Sequence, residues 1–115
     1  METREFVLTA EFDRAWAKLG LDDDDLARFQ DMLQDDPLIG DVVQGTGGLR
    51  KVRFAFGGRG KSGGARVVYV DFAAFETIYL MGAYAKSAKT DLTHEERKIL
   101  AGVIGQIKDG LRSRK

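Results

Sequence analysis

A chain of 115 residues with 43% hydrophobic and 31% charged side chains has the length of one ordinary domain and apolar material for a single core, which argues against a multidomain reading and for one domain over residues 1–115. Cysteine is absent, which excludes a disulfide framework, a thiol nucleophile and a thiolate zinc site and makes a reducing compartment the simplest expectation. The net charge of zero conceals a segregation: residues 1–47 carry 12 acids against 4 Lys/Arg, residues 48–89 carry 8 Lys/Arg against 2 acids, and residues 48–69 hold no acid, so a positive patch is expected despite a pI near 6.6.

The opening METREFVLTA lacks a basic segment followed by a long apolar one, and no run approaches the ~20 apolar residues that cross a bilayer. A soluble, cytoplasmic protein with no membrane partner is expected. Phe6, Val7 and Leu8 read as a first strand. Thr9 then caps a helix carrying Phe12, Trp16 and Leu19 at helical spacing, ended by Gly20. Asp22 or Asp23 caps a second helix with Leu26, Phe29 and Leu33 on one face and an acidic first turn suited to the helix dipole, and Pro37 marks its far side. The pair predicts a helical hairpin, and Gly40 to Gly48 reads as a loop.

From Leu49 the period becomes two: Val52, Phe54 and Phe56 fall on one face, Lys51, Arg53 and Ala55 on the other, so one face reads as core and one as basic. Arg66 to Phe72 and Thr77 to Tyr84 are two further strands in a meander, joined by Ala73 to Glu76. Between the first two strands, residues 57–64 hold five glycines with Arg59 and Lys61 and predict a hairpin tip presenting two cations. Thr93 and Glu96 form a capping-box signature for a last helix, with Leu100, Val103, Ile104, Ile107 and Leu111 in one stripe. The order β-α-α-β-β-β-α predicts an α+β fold in which the helical hairpin and the C-terminal helix pack on an antiparallel sheet.

Ala55 to Ser62 approximates a phosphate-binding loop, but Ala55 replaces the opening glycine and a β-branched strand, not a helix, follows, which argues against nucleotide hydrolysis. His94 sits at a helix start with no evident co-ligands, so neither a metal site nor a cofactor is expected. Lys and Arg on a strand can simply guard a sheet edge. Arg66 is harder to explain in that way, because alternation places it in line with Val68, Val70 and Phe72. With Lys51, Arg53, Arg59 and Lys61 it forms a cation cluster on adjoining strands, as gripping a phosphodiester requires.

The run Gly48-Leu49-Arg50-Lys51-Val52-Arg53-Phe54, the Gly-rich basic tip, Gly64-Ala65-Arg66-Val67-Val68-Tyr69, Ile78-Tyr79-Leu80 and Ala83-Tyr84-Ala85-Lys86 resemble RelE/HigB-type toxins of bacterial type II toxin-antitoxin modules. The similarity spans roughly residues 5–108 and is closest to the HigB-like branch, with its Asp-Leu-Thr segment and long last helix. It implies a microbial-ribonuclease-like α+β fold and ribosome-dependent cleavage of mRNA in the A site. The implied partners are the ribosome and a small antitoxin, commonly a helix-turn-helix protein, through which operator DNA is met indirectly.

Carried over residue by residue, the resemblance makes Lys51 and Arg53 the basic pair before the hairpin and Arg66 the arginine after it. Lys86 and Lys89 fall in the basic stretch that follows the last strand. Arg50, Arg59, Lys61 and Lys89 are expected to bind RNA. Some relatives carry a tyrosine where this chain reads Asp91-Leu92-Thr93, which leaves Tyr84 or a basic residue such as Lys51 or Lys86 to assist proton transfer. Such a site suits RNA, whose 2′-hydroxyl is its own nucleophile, because a guanidinium fork stabilises the pentacoordinate phosphate without metal. Two rivals stand beside the nuclease: a gyrase-directed toxin of the same fold, as in the ParE branch, and a non-enzymatic RNA-binding or regulatory module.

Overall fold

The computed structural model describes residues 3–55, 64–89 and 91–114. In chain order they form β1 (Glu5–Leu8), α1 (Ala10–Lys18), α2 (Asp23–Asp35), β2 (Asp41–Val42), β3 (Leu49–Ala55), β4 (Gly64–Phe72), β5 (Thr77–Ala85) and α3 (His94–Ser113). A 3-10 turn at Ala73–Phe75 links β4 to β5. The five strands make one sheet in the order β1-β5-β4-β3-β2.

Thr9 is extended, and its Oγ1 both accepts from Phe12 N and donates to Leu80 O, so the cap of α1 is pinned to β5. Gly20, at φ +79°, supplies the left-handed step after α1, and Trp16 Nε1 donates to Asp22 O across the turn. A reciprocal Asp22–Asp25 capping box then opens α2. Phe12, Trp16, Phe29 and Leu33 from this hairpin bury one face of the sheet at Val52, Phe54, Val67, Tyr69, Ile78 and Leu80. Trp16 lies at 5.2 to 5.8 Å from Phe12, Phe29 and Phe54, in stacked and tilted contacts that fix how the hairpin sits.

The opposite face is also core. Leu49, Val68, Val70, Phe72 and Met81 are covered there by Ile104 and Leu111 of α3. The expectation of one core face and one basic face along β3 is therefore corrected: Leu49, on the side of Lys51 and Arg53, is fully buried under α3. Leu100, Ile104, Ile107 and Leu111 form the inward stripe of α3, whereas Val103 is exposed and leaves the predicted stripe. The α+β architecture is as expected, with two differences in the sheet. β1 joins β5 in parallel, which the long passage through both helices permits, while the other pairings are antiparallel. The segment 40–48, expected to be loop, contains β2, paired as Asp41↔Lys51 and Val42↔Arg50. Thr46 Oγ1 closes its turn by donating to Val43 O and accepting from Leu49 N.

Between Val68 and Tyr69 the register steps from Gly82 to Leu80, so Met81 is an extra residue in β5. This bulge inverts the alternation beyond it. Tyr79 and Met81 face α3 before the irregularity, and Tyr84 faces α3 after it. Among the described residues no helix is long and apolar enough to cross a membrane.

Candidate functional site

The bulge creates a row across the sheet on the α3 face, Arg53↔Arg66↔Tyr84, taken from β3, β4 and β5. The adjacent row is Lys51↔Val68↔Gly82. After β5 the chain turns back at Lys86, with Ala88 N donating to Ala85 O, and buries Leu92 before Thr93 caps α3. This return brings Lys89, Asp91, Glu96 and Arg97 against the row.

Asp91 is the hub of the ion pairs. Its Oδ1 accepts from Lys51 Nζ at 3.1 Å and from Leu92 N at 2.8 Å, and its Oδ2 lies 3.5 Å from an Arg97 terminal nitrogen. These donors, the Leu92 N–H foremost and then the Lys51 ammonium, hold its carboxyl below the usual carboxylate range. Lys89 Nζ pairs with Glu96 Oε2 at 2.5 Å and stands 4.8 Å from the Tyr84 ring centre. That lysine, together with the Thr93 N–H, lowers the Glu96 carboxyl as well.

Three buried side-chain polar atoms among the described residues lack a hydrogen-bond partner: Arg66 Nε, Tyr84 Oη and Arg97 Nε. All three belong to this cluster, and all three can donate. An unpaired buried donor costs about 1–3 kcal/mol, and three of them in one neighbourhood make a candidate site for an acceptor-rich, anionic ligand. Burial raises the Tyr84 phenol, and Asp91 and Glu96 add to the effect against Arg66, so Tyr84 is a hydrogen-bond donor and a poor base.

Of the residues expected from sequence, Lys51, Arg53, Arg66, Tyr84 and Lys89 come together. Lys86 is in the turn beyond β5 with its side chain exposed. Arg50 lies on the other face, where it donates to Gly40 O at 2.7 Å and Leu38 O at 3.3 Å. Arg59, Lys61 and Phe56 lie outside the described residues. Asp91, Glu96 and Arg97 were missed as site residues. Their signal was the capping box, which fixes where α3 starts, but only the path of α3 over β3 shows that its first turns meet Lys51. Among the described residues no three His, Asp or Glu side chains converge as a metal site.

These elements and side chains make up a small α+β protein with a candidate anion site of arginine, lysine and tyrosine on the sheet face that α3 covers. Residues 4–110 match the profile of the RelE toxin of the RelE/RelB toxin-antitoxin system, and the chain belongs to that family. Its fold is similar to that of E. coli toxin RelE, solved as a doubly substituted mutant in the free state, with a TM-score of 0.55 at 15% identity over 76% of this chain and 87% of that one. The toxin resemblance read from residues 48–93 is thereby borne out at the level of the RelE family, and membership implies an antitoxin partner.

Proposed function

We propose that this toxin is an endoribonuclease that cuts mRNA on the ribosome and so stops translation. The observation that carries the reading is that the three unpartnered buried donors, Arg66 Nε, Tyr84 Oη and Arg97 Nε, belong to residues of one cluster with Lys51 and Arg53. Phosphate oxygens are the acceptors that such a set fits. In the proposed reaction the RNA 2′-hydroxyl gives its proton to solvent water as its oxygen bonds to phosphorus, the bond to the 5′-oxygen breaks, that oxygen leaves as a protonated 5′-hydroxyl, and a 2′,3′-cyclic phosphate results. Arg66 and Arg53 stabilise the charge on the pentacoordinate phosphate. Tyr84, kept protonated by burial, donates to the phosphate or to the leaving 5′-oxygen. Asp91 orients Lys51 and Arg97 toward the same region.

Asp91, its carboxyl lowered by its donors, is a weak base, and Tyr84, its phenol raised by burial, stays protonated at neutral pH and so does not serve as one. Orientation must then carry much of the rate, up to roughly 7–11 kcal/mol of a barrier, and an extended codon in the ribosomal A site supplies it. Ribosome dependence follows from that need for orientation, and charge stabilisation by the Arg66 and Arg53 guanidinium groups takes the part a metal would otherwise play. The narrower HigB-like placement, a helix-turn-helix antitoxin and indirect contact with operator DNA through the complex belong to the same proposal. Induced expression with and without the neighbouring antitoxin gene, followed by transcript 5′-end mapping and a supercoiling assay, tests it. Growth arrest with new ends inside coding regions is expected. Arrest with intact transcripts and altered supercoiling identifies the gyrase-directed alternative.

A further inference from the structure

A pocket of about 220 Å³ opens beside the Arg53–Arg66–Tyr84 row, between the end of β5 and the first turns of α3. Its walls are Met81, Leu92, Leu100 and Ile99, with Tyr84 on the side shared with the row. Ile99 is 63% exposed at the rim of the pocket, where an entering apolar group would cover it. Gly82 lies in the wall with no side chain to fill the space. Polar groups are few but paired: the Lys89 ammonium, over the Tyr84 ring, and the Glu96 carboxylate. An apolar slot with one acceptor and one donor next to a phosphate site has the form of a base-binding subsite.

We infer that this pocket holds the nucleobase next to the phosphate gripped by Arg66, and that Glu96 with Lys89 selects bases bearing an exocyclic amino group over uracil. The inference rests on the ribonuclease reading above and names the specificity of that site. The Glu96 carboxylate accepts from an amino N–H, and Lys89 donates to the neighbouring ring nitrogen or carbonyl. Uracil flanks its one available N–H with two carbonyl oxygens, which face the carboxylate unfavourably. A planar base packs against Ile99, Leu92 and Tyr84 whatever its identity, so the apolar walls supply affinity and the Lys89–Glu96 pair supplies the choice.

The test uses purified toxin, translating ribosomes and a reporter mRNA in which A, C, G and U are placed in turn at each position around the cut. Wild type is expected to favour A, C or G over U by roughly tenfold at one position adjacent to the cut. Glu96→Gln keeps an acceptor for the capping box and is expected to reduce that bias below about threefold. Gly82→Val narrows the slot from the strand side and is expected to lower the bias by an independent route, with circular dichroism confirming the fold. Cutting with no base bias at any adjacent position, or a bias that survives in both folded variants, overturns the base pocket and leaves the nuclease reading standing. No cutting by wild type overturns both.

Discussion

Replacing Arg66 by methionine separates binding from architecture, because its two expected effects have opposite signs. Arg66 is half-buried between Arg53 and Tyr84 in register, and its Nε is buried with no acceptor. Methionine keeps an unbranched apolar stem against Val68 and removes both the orphaned donor and the like charge beside Arg53. An orphaned buried donor costs about 1–3 kcal/mol, and partial exposure puts Arg66 at the lower end, about 1 kcal/mol. At this chain length that is a rise in melting temperature of roughly 3–6 °C. Loss of one charge-stabilising donor should meanwhile lower the cutting rate about 10²–10³-fold. Thermal melts and a ribosome-dependent cleavage assay on the same preparation read both. A variant destabilised by more than about 1 kcal/mol, or one that cuts at the wild-type rate, refutes the assignment of Arg66 as a phosphate clamp held at a structural cost.

Asp71→Ala should destabilise by about 3–5 kcal/mol, measured by urea unfolding, because it strips the carboxylate from its paired bonds to Arg4, where the two side chains are 3% and 9% exposed. Gly40→Ala should cost about 1–3 kcal/mol in the same assay, since a Cβ there would stand 2.9 Å from both Lys51 O and the Tyr69 ring, with Tyr69 Oη tied to Gly40 N and Pro37 O. Asp91 and Glu96 have folded-state carboxyls below their ordinary range, so their stabilisation is fully present above that range and is lost as pH falls through the lowered values. Both are about two-fifths exposed, at 39% and 40%, which limits each to under about 1 kcal/mol; melts from about pH 6 to about pH 3 should show a shallower loss in an Asp91→Asn, Glu96→Gln variant. A wild-type acid slope retained in that variant would show that the pairs at the start of α3 do not contribute.

The elements that announced themselves are those whose signals are local. Thr9, Asp22 and Thr93 all cap as expected because a capping side chain reaches only three residues ahead. The alternation through Lys51 and Arg53 and the placement of Arg66 with Val68, Val70 and Phe72 held because strand faces follow from the pleat. What was hidden depends on distant segments. The two-residue β2 exists only because β3 offers it an edge, and β1 runs parallel to β5 because a long connection separates them. Tyr84 was picked out, but its neighbour across the sheet depends on the bulge at Met81, which no residue pattern announces. Arg97 and Asp91 are ordinary polar residues at a helix start until α3 crosses β3 and Lys51 meets Asp91. Arg50, between Leu49 and Lys51, shows the converse: adjacent cations on a strand face opposite ways, and this one serves the backbone of Leu38 and Gly40.

The most direct test of the central claim is cleavage in a reconstituted translation system, comparing one transcript on ribosomes and free in solution, with wild-type toxin and with the Arg66→Met variant. Cuts in register with translated codons are predicted on the ribosome, a drop of about 10²-fold or more for the variant, and an intact free transcript with or without a chelator that spares the ribosomes. Efficient, magnesium-dependent degradation of the free transcript, or equal cutting by the variant, would contradict the account.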